Sequence, residues 1–442
     1  MMNSTRHANF IHRIPRTLIV LGMIASWCAS MIVAITTDPM GYDVLADPKS
    51  KPFIYYLLHG TGIISMIAGS SVAMLNGWYR KAGGGTRLAF WLLQITSIIW
   101  ALLSYTFQDY LSWKALGATG PFVWLSCILV FAGMDKSVWK VLDPLVRYLS
   151  YITAALALYS IYGYHLIVME ERWLSAPVQY MVILMWFSGW TLLTSWNSRG
   201  TKLYVRFLPY IVFIITTIFT QTRSWFLMSI FLFIAFNYVS AIKYKTQKTF
   251  IKRYSASIGL SIVMILIAIL FLHGPLAGAF DTFSSRSFEE SRIGQYVQFF
   301  SQVQATDLIL GSGPDASWEF STGEGREEYH YFDNAYLWMA FIGGFPMMIS
   351  YFVLIVFPGI KLFFSRVTGD DAAAAILVVL WGLACTGFST YLNPSLTPHS
   401  YLICLLAGRC IGCLSESRNK VLIDRSVRFD KLRRNGRSVQ RA

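Results

Sequence analysis

Apolar stretches of about twenty residues, the length a helix needs to cross a bilayer, recur from one end of this chain to the other. Twelve can be delimited, at 16–36, 53–75, 88–107, 115–133, 147–168, 177–196, 205–222, 224–241, 255–273, 335–357, 372–389 and 397–414. So much apolar surface cannot be hidden in one globular core. The predicted fold is all-α: a polytopic integral membrane protein of about 12 transmembrane helices, forming a single membrane domain over 1–442. Composition agrees, with 55% hydrophobic and only 14% charged residues, where soluble domains carry roughly a quarter charged.

The formal net charge of +14 does not point to nucleic acid, because the cations are dispersed over connectors and the C-terminal segment. They follow the positive-inside rule. With the N-terminus cytoplasmic, 29 of the 37 lysines and arginines fall on inside segments. An even number of spans then places both termini in the cytoplasm, with a basic tail at 415–442. The first apolar segment is long and lacks a small-residue cleavage site, so it reads as a retained span rather than a signal peptide. All six cysteines fall in or beside predicted spans, so no disulfide framework is expected. No span carries an evident buried Asp, Glu or Lys. The triple glycine Gly83, Gly84 and Gly85 reads as a turn and not a phosphate loop, since no G-K-[ST] follows it.

Two segments break the monotony of apolar spans. Val205 to Ile242 is almost unbroken apolar sequence over 38 residues, about 57 Å as one helix against a hydrocarbon core of roughly 30 Å. It must fold back at its one strongly polar cluster, Gln221 to Ser224, which places Arg223 at the external tip of a helical hairpin. Such an arginine either snorkels to lipid headgroups or serves a site; both readings stand.

The second is the long polar loop 274–334, external and set between the ninth and tenth spans. Its ten acids outnumber three arginines, Arg286, Arg292 and Arg326. Ser287 and Glu290 have the spacing of a capping box. Behind them Ile293, Tyr296, Val297, Phe300 and Val303 share one face of a predicted amphipathic helix. That face would lie on the membrane surface or pack on the bundle. Gly311 and Gly313 stop the chain and turn it. Arg292 has two readings, a surface ion pair with Glu289 or a guanidinium clamp on a diphosphate.

The order of these features resembles the O-antigen ligase and polymerase (Wzy-type) superfamily of bacterial polysaccharide biosynthesis. It comprises the hairpin Thr220, Gln221, Thr222 and Arg223, the arginine helix around Arg292 and Tyr296, then Leu310 to Gly313, then Asp333, Asn334, Ala335, Tyr336 and Leu337 ahead of Gly343 and Gly344. The similarity covers about 205–360. It implies a metal-independent glycosyltransferase without cofactor, in the cytoplasmic (inner) membrane of a bacterium, using polyprenyl-diphosphate-linked glycans on the outer face. The resemblance gives the diphosphate to Arg223 and Arg292, with Arg286 beside them in the loop. Family ligases carry a histidine directly before the asparagine of H-N-x-Y-L; here that position is Asp333, with His330 three residues earlier. The departure favours a polymerase of O-antigen or exopolysaccharide repeats over a ligase acting on a lipid or protein acceptor.

Glycan transfer needs a base at the acceptor hydroxyl and cations at the departing diphosphate. Asp333 or His330 is the candidate base, although Asp333 also suits a helix N-cap and His330 a solvent-exposed loop. Asn334, Tyr331 and Tyr336 are candidates for holding sugar, with Gly311 and Gly313 shaping the loop. The partners implied are lipid-linked donor and acceptor repeats, the bilayer and a chain-length regulator protein. A polysaccharide transporter or flippase is a further alternative, but the repeat symmetry and charged spans of transporters are not evident.

Overall fold

A computed structural model describes residues 2–36, 52–107, 126–165, 175–194, 203–219, 223–243, 291–313, 316–322, 325–329, 332, 334–365, 369–386 and 397–417. These residues are about 90% helical. In chain order the elements are α1 (Met2–Thr36), α2 (Phe53–Lys81), α3 (Gly84–Phe107), the short α4 (Leu129–Gly133), α5 (Lys136–His165), α6 (Ser175–Thr194), α7 (Leu203–Phe219) and α8 (Arg223–Lys243). There follow α9 (Ser291–Gln302), α10 (Ala305–Leu310), strands β1 (Trp318–Thr322) and β2 (Gly325–Tyr329), α11 (Ala335–Phe363), α12 (Asp370–Ala384) and α13 (398–417).

Five of the described helices contain stretches long and apolar enough to cross a membrane: Arg13–Ile35, Phe53–Lys81, Gly84–Leu103, Lys136–Ile161 and Ala335–Phe363. Three shorter apolar helices, Tyr180–Thr194, Val205–Ile218 and Ser224–Val239, pack among them. α3 turns Trp91, Ile95, Ile98 and Leu102 outward. A contiguous apolar face of that kind is what lipid, not water, would cover.

The long apolar run folds back as its length requires. Tyr210 on α7 donates its hydroxyl to the Ser229 carbonyl of α8 at 2.7 Å, and Phe207 meets Phe236 edge-on at 5.2 Å. Each pair is centred on positions close to 220, the register of two antiparallel helices. Elsewhere the expected boundaries move. α5 starts at Lys136, where a connector was expected up to 147. Asp135 explains the early start, its carboxylate accepting from the Ser137 amide at 2.8 Å as an N-cap does. The all-α expectation also yields to the small antiparallel hairpin β1–β2. The ninth predicted span, 255–273, most of the fourth and the basic tail beyond 417 lie outside the described residues.

α4 and α13 cross with backbones touching. A Cβ on Gly133 would overlap the Leu405 carbonyl, and one on Gly408 would overlap that of Val130. Small residues are what permit such close crossings between apolar helices.

Beside that crossing, four helices meet through one arginine. Arg409 on α13 donates from Nε to Asp371 of α12 at 2.7 Å, with Asp370 at 3.9 Å. Its guanidinium lies 5.1 Å from the ring centre of Trp139 on α5 and 5.6 Å from that of Trp190 on α6. Trp190 donates its indole N–H to Asp143 at 2.8 Å, and Asp143 pairs with Arg147 at the same distance. Charge-assisted hydrogen bonds contribute about 1.5–3 kcal/mol each, and stacking on the rings adds to this. Arg409→Ala is therefore expected to lower the thermal midpoint of the purified protein by several degrees. Arg409→Lys should recover only part of the loss, because an ammonium lacks the planar fork. An unchanged midpoint in the alanine variant would remove this cluster from the account of stability.

Candidate functional site

The sequence Gly343, Gly344, Phe345, Pro346 decides the local structure. Proline has no N–H and its ring collides with the carbonyl four residues back, which here is Ile342. Gly344 takes φ 77°, a left-handed conformation that breaks α11. The carbonyls of Phe341 and Ile342 lose their helical partners at that break. The loop supplies replacements: the Ser312 amide donates to Phe341 at 2.7 Å and the Gly313 amide to Ile342 at 3.0 Å.

Gly311, at φ 93°, and Gly344 face each other so closely that a Cβ on Gly311 would lie 2.6 Å from the Ile342 carbonyl oxygen. One on Gly344 would lie 2.5 Å from that of Ile309. Two stretches thirty residues apart in sequence are thus one physical unit. Gly311 and Gly313 are the turn formers expected, and what they fit is the broken helix.

Above this junction α9 and the hairpin share an aromatic core. Phe299 is fully buried and meets Trp318 edge-on at 5.5 Å, Phe341 at 5.2 Å and Phe332 at 4.8 Å. The expected apolar stripe on α9 packs on the bundle only in part. Val297 and Phe300 are exposed, and the buried side is Tyr296, Phe299 and Val303. The predicted stripe straddled two sides of the helix, and the neighbours above α11 take only one.

Gln298 and Gln302, one helical turn apart, reach the outer edge of β1. Each amide donates to one strand carbonyl and accepts from the same residue's N–H. Gln302 serves Glu319 at 2.6 and 2.8 Å, and Gln298 serves Ser321 at 3.3 and 2.7 Å. Two strand residues span about 6.7 Å and four helical residues about 6 Å, so the spacings match.

Phe332, 2% exposed, anchors the chain beneath Tyr296 at 4.9 Å, and α11 begins three residues later. Its N-cap is Asn334, whose Oδ1 accepts from the amides of Tyr336 at 3.0 Å and Leu337 at 3.1 Å. The Asn334 amide also donates to the Tyr296 hydroxyl at 3.3 Å. Capping therefore belongs to Asn334 rather than to Asp333. Tyr336 donates its hydroxyl to the Gly382 carbonyl at 3.0 Å, and the Ala335 amide donates to Cys385 at 2.9 Å, tying the start of α11 to the end of α12.

The structure thus brings together Asn334, Tyr336, Gly311 and Gly313. Through Tyr296 it also joins them to the helix that carries Arg292, which stands one turn before Tyr296 in the i, i+4 relation that defines a shared face. Arg223 is placed as the first residue of α8. The side chains of Arg223 and Arg292 lie outside the described residues, as do Arg286, His330, Tyr331 and Asp333 altogether. Sequence reasoning missed Phe299 and the glutamine pair, and Phe332, which the sequence offered beside Tyr331 as a ring for sugars to stack on, is buried instead. The alternation of Trp318 and Phe320 ahead of Gly323 was the available signal for the hairpin. No family model, no curated protein and no solved structure matches this chain.

Substituting Gly311 or Gly344 by alanine forces both a strained backbone and a clash with main chain. Strain at such positions costs about 1–3 kcal/mol before any overlap is counted. Either variant is expected to make the 291–329 segment markedly more susceptible to limited proteolysis while the helices of the bundle stay protected. Equal proteolysis of wild type and both variants would show that the junction does not hold the loop.

Proposed function

We propose that this chain is a membrane glycosyltransferase that polymerises O-antigen or exopolysaccharide repeat units. It takes glycan from a polyprenyl-diphosphate-linked donor and passes it to a lipid-linked acceptor repeat on the outer face of the cytoplasmic membrane. In this reading about twelve spans cross the bilayer, both termini are cytoplasmic, and the loop 274–334 faces out. The observation that carries the reading is the bond from Asn334 to Tyr296. It couples the segment of the candidate base Asp333 to the helix of Arg292, two stretches that the resemblance pairs and the sequence separates by some forty residues.

Placement of the arginines supports it further. Arg223 opens α8 and Arg292 is the second residue of α9, and neither helix has an acid in its first turn. A cation at the positive end of a helix dipole is unfavourable alone. It becomes favourable beside an anion such as the donor diphosphate.

In the reaction the acceptor hydroxyl attacks the anomeric carbon, the bond from that carbon to the diphosphate oxygen breaks, and the hydroxyl proton passes to Asp333 or His330. Arg223 and Arg292 take up the charge of the departing polyprenyl diphosphate, with Arg286 as a further loop cation. Tyr331 is left to meet the sugars. Asn334 and Tyr336 act through position, since their polar atoms hold the start of α11 in place.

Purified protein given a polyprenyl-diphosphate-linked oligosaccharide repeat, with no metal added, is expected to produce a ladder spaced by one repeat on gels and in mass spectra. Arg223→Ala and Arg292→Ala should each lower its rate by about a hundredfold or more, the scale for losing a charge-stabilising donor, with protein levels unchanged. Normal chain length in both variants would sink the assignment. Transfer to an added lipid or protein acceptor without a ladder would make the chain a ligase. Neither product from a competent substrate would return the question to transport.

A further inference from the structure

Two clefts flank the end of α13, and their charges differ in kind. One, of about 290 Å³, runs beside Lys136, Lys140, Asp143, Asp371 and Arg409. Two of its three cations have acidic partners, Arg409 with Asp371 and Lys136 with Glu416. The other, of about 620 Å³, lies where α2 passes into α3 against α11 and α13. Arg80, Lys81, Arg87 and Lys361 line it, and among the described residues no carboxylate does. Four cations held around one concavity repel one another unless an anion sits between them.

Two of the four are also braced. The Lys81 ammonium lies 3.8 Å from the ring centre of Trp78, and the Arg87 guanidinium 5.6 Å from that of Tyr79. The Ser415 hydroxyl donates to the Lys81 carbonyl at 2.8 Å, fixing the floor of the cleft to α13. Gly83, Gly84 and Gly85 leave the adjoining backbone open, since a Cβ on any of them would meet nothing within 4 Å. The rest of the lining includes the apolar side chains of Phe357, Ile411 and Leu414, with Phe357 46% exposed.

We propose that this cleft is a phosphate-anion site that holds the headgroup of an anionic phospholipid. The cations and the open glycine backbone take the phosphate, and the apolar side chains take the first part of the acyl chains. A wholly water-soluble phosphate has no use for those side chains. The site lies where charge distribution puts the cytoplasmic leaflet, the one rich in anionic lipid, and it does not depend on the transferase reading.

The test is native mass spectrometry of the detergent-solubilised full chain titrated with phosphatidylglycerol, phosphatidylcholine or inorganic phosphate. Wild type should retain phosphatidylglycerol well above phosphatidylcholine. The double variant Arg87→Gln with Lys361→Gln should retain it about tenfold more weakly or worse, the scale for removing two surface cations. Arg87→Lys with Lys361→Arg, which keeps the charges, should restore retention and so separates loss of the site from misfolding. Lys136→Gln, in the acid-paired cleft, should change retention less than about twofold. Equal losses in Lys136→Gln and the double variant would reduce the effect to diffuse surface charge and overturn the proposal. So would equal retention of the two lipids, or displacement of the lipid by inorganic phosphate at comparable concentration.

Discussion

Two carbonyl groups, those of Phe341 and Ile342, hold the 291–329 segment of this protein to its helices. Pro346 and the left-handed Gly344 strip them of their partners inside a helix that is otherwise apolar. A carbonyl left unpaired in such surroundings costs several kcal/mol, and water has little access to supply the difference. The amides of Ser312 and Gly313 fill that need, so the loop is a component of α11 rather than an appendage to it. Everything above the junction takes its position from that docking, including the burial of Phe299 and the cap at Asn334.

The bundle has a second fixed point built from the opposite chemistry. Around Arg409, charge and aromatic rings replace backbone pairing, and the start of α5, the end of α6, the start of α12 and α13 converge on one guanidinium. Close glycine packing at Gly133 and Gly408 brings α13 near enough to α4 for that geometry to be kept. Polar satisfaction fixes the loop, while paired charge fixes helix ends, and between them the apolar contacts need no great specificity.

Much of the helical framework was legible because apolar length is a blunt and reliable signal. Fold-back of the run 205–242 followed from arithmetic alone, and the Tyr210 to Ser229 bond agrees with it. What was not legible depended on partners distant in sequence. Periodicity put Val297 and Phe300 on the apolar face of α9 without saying whether bundle or membrane surface would meet it, because the side of a helix that is buried is chosen by what lies against it, and here that is Phe341 and Trp318. Capping by Asn334 over Asp333 turned on where α11 begins, a boundary that Tyr296 and Phe332 help to set. Asp370 and Asp371 sit at the start of α12 and Arg409 within α13, where a hydropathy window averages charge away, so their convergence left no mark in the linear pattern.

The glutamine pair on α9 has an effect beyond the packing it completes. Gln298 and Gln302 present to β1 the same alternation of donor and acceptor that a neighbouring strand would, so a helix serves as the third strand of the sheet through its side chains. On that flank the hairpin offers no open backbone to an incoming chain. Copies of the chain that meet by this flank can touch without zipping into a continuous sheet.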